Sequence, residues 1–343
     1  MVRIALDAMG GDLAPVAPVI GAVQAARSWR YELQLVGREA DLREALRKQG
    51  DLSDIDDLLT IVHAPDVIEM GEHPASAVRA KRHSSMAIGI DLVKKGAADA
   101  FVSAGNTGGV LATALLGLRR IEGITSERPA LVALIPTING SCVVLDVGAN
   151  VDVKPEWLAQ FALMGSLYAE ILLDRPSPSV ATLSNGEEEG KGNALLAEAV
   201  PLIQALPIRY IGNVEANVIT SGAADVIVVD GFAGNVFLKG AEGVVATMTE
   251  MIRQELTRNP LNALLALGLR PAFRRVRTRL SYEEVGGVPL LGVNGVCIVA
   301  HGRSSGYAIR NALRAAARCV EVRLVERIRD RLGPRPRRCT DAE

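Results

Sequence analysis

The stretch DVIVVDGFAGNVFLKGAEG (225–243) decides how the rest of the chain is read. It opens on an unbroken Val/Ile run, closes that run on Asp230, turns through Gly231 and Gly234, and resumes apolar residues at helical spacing. A strand covered on both faces reads as such a continuous run rather than as an alternation. An Asp followed by glycines ahead of a helical pattern reads as a helix start. The carboxylate can cap exposed N–H groups, and glycine lets the backbone approach a neighbour closely. The unit is strand, turn, helix.

The same unit recurs along the chain. Strands are predicted at 2–6, 32–36, 60–64, 100–104, 130–135, 141–147, 179–183, 208–212, 225–230 and 296–300. Helices are predicted near 16–29, 38–49, 76–95, 107–120, 155–173, 191–205, 233–257 and 304–332. Such alternation implies βαβ crossovers, hence a mostly parallel sheet with helices on both faces: an α/β, three-layer, Rossmann-like architecture. One domain is expected over 1–332, with a disordered Pro-rich, charged tail over 333–343. One segment departs from the pattern. Residues 256–280 set Leu261, Leu264, Leu265, Leu267, Leu269 and Phe273 beside Arg270, Arg274, Arg275, Arg277 and Arg279. A helix of that kind packs on the body or on a second subunit, or lies in a membrane interface with its arginines toward anionic lipid.

Composition removes whole classes of function. The 343 residues carry a formal net charge of -1 and only 3% aromatic residues, so neither a global basic field nor stacking platforms for bases are expected, and nucleic acid is not a partner. The four cysteines (Cys142, Cys297, Cys319, Cys339) form no CxxC pair and the four histidines are scattered, so no zinc site or disulfide framework is expected. No metal or other cofactor is expected. No apolar stretch is long enough to span a bilayer. The first strand begins at Val2 with no signal-like segment ahead of it, which makes the cytoplasm the expected compartment.

Ligands of open α/β sheets bind beyond the carboxyl ends of the strands. The polar and glycine residues gather at such turns: Asp7, Gly10, Gly11 and Asp12; Ser103, Asn106 and Thr107; Asp146 and Asn150; Asn185, Lys191 and Asn193; Asp230 and Asn235; His301, Ser304 and Ser305. Together they predict one binding cleft at one sheet edge.

Three familiar motifs fail on their physical requirements. DAMGGD (7–12) is not GxGxxG, and no acidic residue closes the second strand to hold a ribose. Gly186 to Lys191 is one residue short of a Walker A loop, and Gly192 stands where Ser or Thr would hold magnesium. GRSSG (302–306) matches a nucleophile elbow, but no histidine follows Ser304. What remains is amide, hydroxyl and backbone donors, a loop lysine, a loop histidine and aspartates. That set suits a substrate that brings its own nucleophile.

DAMGGD, SAGNTGG, ERPAL, DVGAN, LSNGEEEGKGN, DVIVVDGFAGNVFLKGAEG and GVNGVCIVAHGRSS occur in that order. Together they resemble the bacterial phosphate acyltransferases of the PlsX type, from about Val2 to about Leu324. The resemblance implies transfer of a long-chain acyl group from acyl-[acyl carrier protein] to inorganic phosphate, giving acyl phosphate for a glycerol-3-phosphate acyltransferase of phospholipid synthesis. It implies a fold similar to isocitrate and isopropylmalate dehydrogenases, a homodimer, and peripheral attachment to the inner face of the cell membrane. That attachment favours membrane contact for Leu261, Leu264, Leu265, Leu267, Arg270 and Arg274. Onto this sequence it carries Asp7, Gly10, Gly11, Asp12, Ser103, Asn106, Thr107, Lys191, Asn193, Asp230, Asn235 and His301. The expected mechanism is direct attack of phosphate on the thioester. Lys191 would balance charge, Asn106, Asn193 or Asn235 would donate to the oxyanion, and His301 or Asp230 would manage the proton. Asn185 and Ser304 join the expected phosphate-binding set. The glutamates 187–189 are expected to open the following helix and complement its dipole.

Overall fold

A computed structural model describes residues 1–121 and 128–332, apart from the side chains of residues 261, 263, 277, 282 and 332. The tail expected over 333–343, the side chains of Leu261 and Arg277, and Glu127 of the ERPAL motif lie outside the described residues.

The strands are β1 (Arg3–Asp7), β2 (Glu32–Gly37), β3 (Leu59–His63), β4 (Ala100–Ser103), β5 (Ala130–Thr137), β6 (Gly140–Leu145), β7 (Ser179–Leu183), β8 (Arg209–Val214), β9 (Val226–Val228), β10 (Gly287–Leu291) and β11 (Val296–Ala300). They form one 11-stranded sheet in the order β3-β2-β1-β4-β11-β10-β5-β6-β9-β7-β8. Its centre is almost wholly buried because helices cover both faces. Helices Val16–Trp29, Pro155–Leu172 and Gly306–Glu321 supply one apolar layer, with Phe161 and Leu158 at its heart. Helices Pro74–Ala80, Ser85–Lys94 and Thr107–Gly117 supply the other, around Phe101 and Met86. The three-layer α/β expectation holds.

Strand direction is where the structure departs from expectation. The group β3, β2, β1, β4 and β11 is parallel. The group β6, β9, β7 and β8 is also parallel. Between them the pairs β11–β10, β10–β5 and β5–β6 are each antiparallel. Three reversals leave the two parallel groups pointing opposite ways. The turns expected at one sheet edge therefore divide between two. β10 was not among the expected strands: it begins at Gly287 and holds Pro289 opposite Ile298, where sequence rules confine proline to edges.

Two predicted helices are each a pair. Ser84 caps a fresh helix by accepting from Ala87 N–H, which splits 76–95, and Arg323 in the left-handed region (φ 54°) breaks 304–332. The segment around 256–280 belongs to a hairpin of two helices, Gly231–Leu256 and Pro260–Leu280. Between 235 and 285 no described side chain is buried, so most of the hairpin stands out of the body.

Candidate active site

The sharpest construction lies where β6 and β9 end. The Asp146 carboxylate is fully buried and accepts from Leu131 N (3.0 Å), Gly148 N (3.1 Å), Ala149 N (2.9 Å), Asn150 N (2.7 Å) and Asn150 Nδ2 (2.8 Å). Burial raises its pKa, and the N–H donors pull the other way. Every one of these partners is a donor, so the turn is built around the ionised form. Asn150 passes the order on: its carbonyl accepts from Gly231 N (2.8 Å). A Cβ at Gly234 would fall on the carbonyl oxygen of Asp146, so glycine is required for the helix to seat here. Asp230 caps that helix, its Oδ1 accepting from Ala233 N at 2.9 Å.

The loop after β7 forms the facing wall. Asn193 caps helix Ala194–Gln204, Oδ1 accepting from Leu196 N at 3.1 Å, while its amide NH2 has no partner among the described residues. The positive φ values of Gly190 (86°) and Gly192 (111°) shape the turn. Leu158, Leu183, Ser184, Asn185, Gly192, Asn193, Leu195, Leu196, Ala216, Val229, Asp230 and Ala233 enclose a cleft of about 430 Å³. Asn185, Asn193 and Asp230 thus share one space. Asn235 lies beside Gly148 at its margin, and Lys191 is an exposed rim residue whose stem passes Gly186. The glutamates 187–189 do not serve the helix dipole as expected: they are exposed in the loop, and the first helical turn has no acidic residue.

The other sheet edge holds the remaining expected site residues. Ser103 Oγ donates to Asp7 at 2.7 Å, and Met9 N donates to the same carboxylate at 3.2 Å. Asp7 is 1% exposed, its pKa raised by burial. Asp7 and Ser103 thus brace β1 against β4. Gly10 packs on this pair, Gly11 on the Gly302 carbonyl, and Asp12 N donates to Gly302 O at 2.8 Å. Asn106 was expected to donate to an oxyanion. Its Nδ2 instead donates to the carbonyls of Met70 (2.9 Å) and Glu72 (3.0 Å), and its Oδ1 caps Gly109 N. Thr107 is exposed at the same helix start. Ser304 is buried, with an Oγ that has no hydrogen-bond partner among the described residues. His301 Nδ1 accepts from Arg303 N at 3.1 Å, and its Nε2 lies 3.3 Å from Lys239 Nζ. Burial and then Lys239 hold the imidazole below its ordinary pKa.

The profile of the fatty acid synthesis protein family matches residues 2–327. A phosphate acyltransferase from Desulfitobacterium hafniense is 47% identical over 333 residues, 97% of this chain and 98% of its own length. One from Pelotomaculum thermopropionicum is 47% identical over 327 residues, 95% of this chain and 94% of its own. The chain belongs to this family of phosphate acyltransferases. The fold is also that of a phosphotransacetylase from Streptococcus pyogenes (TM-score 0.61, 20% identity, covering 95% of this chain and 94% of that one). A branched-chain phosphotransacylase from Enterococcus faecalis shares it (TM-score 0.55, 14% identity, 93% and 99%).

For a phosphate acyltransferase the cleft has an instructive inventory. Neither cysteine nor histidine lines it. The cysteines of the described residues are buried, and burial pushes the thiols of Cys142, Cys297 and Cys319 up to about 12. The cleft thus offers hydrogen-bond donors and neither a thiol nor an imidazole. Helix Gly231–Leu256 ties the cleft to the opposite edge: Asp230 caps it, and Lys239, nine residues on and so about 14 Å along the axis, meets His301. Lys239 is the residue missed by sequence reasoning. It sits within the helix among ordinary surface positions, and nothing in the sequence marked it.

Proposed function

We propose that this chain transfers a long-chain acyl group from acyl-[acyl carrier protein] to inorganic phosphate, and that the chemistry takes place in the cleft bounded by Asn193 and Asp230. The observation that carries the reading is the cleft's make-up: an apolar floor of Leu158, Leu195, Leu196 and Val229 beneath amide and carboxylate groups. The floor suits an acyl chain and the rim suits phosphate. A phosphate oxygen attacks the thioester carbonyl, forming the new C–O bond, and the oxyanion takes a hydrogen bond from the Asn193 amide. Collapse breaks the C–S bond, and the carrier thiolate leaves. Asp230 would repel a fully ionised phosphate. As the acceptor of a phosphate hydroxyl it instead orients the nucleophile and takes the proton that the thiolate then receives. Lys191 balances charge from the rim, where its long stem lets the ammonium swing inward. His301 belongs to the opposite edge, so in this reading the proton falls to Asp230.

The hairpin supports the remaining part of the reading: a homodimer resting on the inner face of the membrane, handing acyl phosphate to a glycerol-3-phosphate acyltransferase. Leu264 (66%), Leu265 (65%) and Leu267 (61%) are well exposed on a helix that also carries exposed Arg270 and Arg274. No described helix is long and apolar enough to cross a membrane. The deciding experiment incubates purified protein with acyl-[acyl carrier protein] and phosphate and assays acyl phosphate and free carrier thiol, with acyl-coenzyme A as the control donor. Phosphate-dependent release from the carrier is expected. A stable acyl-enzyme in single turnover would rule out direct attack, and a preference for acyl-coenzyme A would rule out the carrier protein as donor.

A further inference from the structure

A chain of polar side chains runs from inside the sheet to the loop that carries Lys191 and Asn193, and no sequence motif marks it. Thr182, on β7, is fully buried. Its Oγ1 donates to Asn213 Oδ1 at 2.7 Å and lies 2.8 Å from the hydroxyl of Tyr210. Since the Thr182 hydrogen is committed to Asn213, Tyr210 is the donor in the second contact. The direction of the chain is therefore fixed: Tyr210 O–H to Thr182, Thr182 O–H to Asn213 Oδ1. The loop side agrees, because the carbonyls of Glu188 and Lys191 can only accept and so require the NH2 of the Asn213 amide. Its oxygen faces Thr182, so its NH2 faces the loop, where Nδ2 approaches the carbonyls of Glu188 (3.3 Å) and Lys191 (3.4 Å). The register of β7 on β8 shifts between Val180 and Thr182 at this same place. Ser184 N, donating to Val214 O at 2.9 Å, pins the start of the loop to β8 just beyond Asn213.

We propose that Asn213 is a positioning residue for acyl transfer, holding the 185–193 loop in the shape that presents Lys191 and Asn193 to phosphate. The inference rests on the reading of the cleft as the acyl-transfer site. The loop has little else to hold it: residues 187–193 are all exposed, and two of its glycines have positive φ. Lys191 N reaches Glu188 O at 3.2 Å, a bond within the loop that does not tie it to the body. Asn213 bonds the carbonyls at both ends of that small turn, so one side chain fixes where it stands. A loop free to drift by about an ångström loses the orientation on which catalysis depends, a loss of roughly a hundredfold in favourable cases.

The test separates the clamp from the site it serves. Asn213→Asp keeps the size and the acceptor facing Thr182 but loses both donors to the loop. Thr182→Val removes the hydroxyl that orients the amide, and Thr182→Ser keeps it. Limited trypsin digestion reads the loop directly, because cleavage after Lys191 requires it to open. N213D and T182V are expected to be cut faster after Lys191 than the parent at a temperature well below the melting point of each, with T182S protected like the parent. The same two variants are expected to raise the KM for phosphate about tenfold or more while leaving the KM for the acyl donor in place. Parent-like protection of the loop in N213D and T182V would overturn the clamp. A loosened loop with unchanged phosphate kinetics would keep the clamp and overturn the loop's place in the acyl-transfer site. Should N213D fail to fold, T182V set against T182S decides the matter alone.

Discussion

Replacing Asp146 with Asn tests whether the buried turn after β6 is held by charge or by shape. The two side chains are nearly isosteric, so packing is preserved. In the parent, Oδ1 accepts three N–H donors, from Leu131, Gly148 and Ala149, and Oδ2 accepts two, both from Asn150. An amide has one oxygen. Its better orientation keeps that oxygen toward the three donors and turns its NH2 on the two from Asn150, losing both bonds and setting donor against donor. Hydrogen bonds to charged groups contribute about 1.5–3 kcal/mol each, so the loss is roughly 3–6 kcal/mol before any repulsion. That is a large share of the ~5–15 kcal/mol that separates folded from unfolded domains. Thermal and urea denaturation followed by circular dichroism would measure it, with a fall in Tm of at least about 4 °C. The loss should also reach the cleft, because Asn150 holds the start of helix Gly231–Leu256. A D146N variant within about 1 kcal/mol of the parent would refute the reasoning, since removal of two charge-assisted bonds has no smaller outcome.

The His301 ring should titrate below its ordinary value of about 6.5, followed by NMR of the ring protons; Lys239→Met removes the larger of the two nearby positive charges that lower it and should move the midpoint upward, and an unmoved midpoint would deny the contact. The sign for stability follows. With the folded pKa depressed, the unfolded state takes up the proton first, so His301 costs no stability above about pH 6.5 and stability is lost as the pH falls below it. Gly234→Ala should destabilise by about 1–3 kcal/mol or more, because the new methyl meets the backbone of Asp146, whereas Gly240→Ala on the same helix has open space and should gain up to about 1 kcal/mol; equal urea midpoints for the two would contradict this. Leu264→Ser with Leu267→Ser should leave Tm within the small range of surface changes yet weaken co-sedimentation with anionic vesicles roughly tenfold or more per leucine, and undiminished binding would remove these residues from the membrane contact.

Much of the fold could be read because its strands are buried on both sides. Runs such as Val226–Val228 and Val296–Ala300 announce themselves without any partner in view. Direction could not be read the same way. An apolar run records how much of a strand is covered and nothing about which way its neighbour points, and the strand that begins the reversal is the one broken by Gly287 and Pro289. The site divides along a similar line. Asn106, Asn193, Asp230 and Ser305 were legible as helix starts, and each caps one. Whether a cap has donors left for a ligand depends on distant chain. Asn106 uses its amide on the carbonyls of Met70 and Glu72, and Asn193 keeps its own. Asn213 and Lys239 were illegible because each acts through residues more than 20 positions away and sits at a place in its element where polar side chains are commonplace.

The hairpin is anchored at both ends to one turn. On its way out Lys239 meets His301, and on its return Glu283 accepts from Ser305 Oγ at 2.5 Å. It thus projects from the turn that carries His301. From Lys239 to the end of the first helix at Leu256 is 17 residues, about 26 Å. A charged surface touched only by the far end lies roughly three screening lengths from His301, and the imidazole is electrically insulated from it. A charged surface lying along the hairpin would instead come within about one screening length of the ring, close enough to act on it beside Lys239.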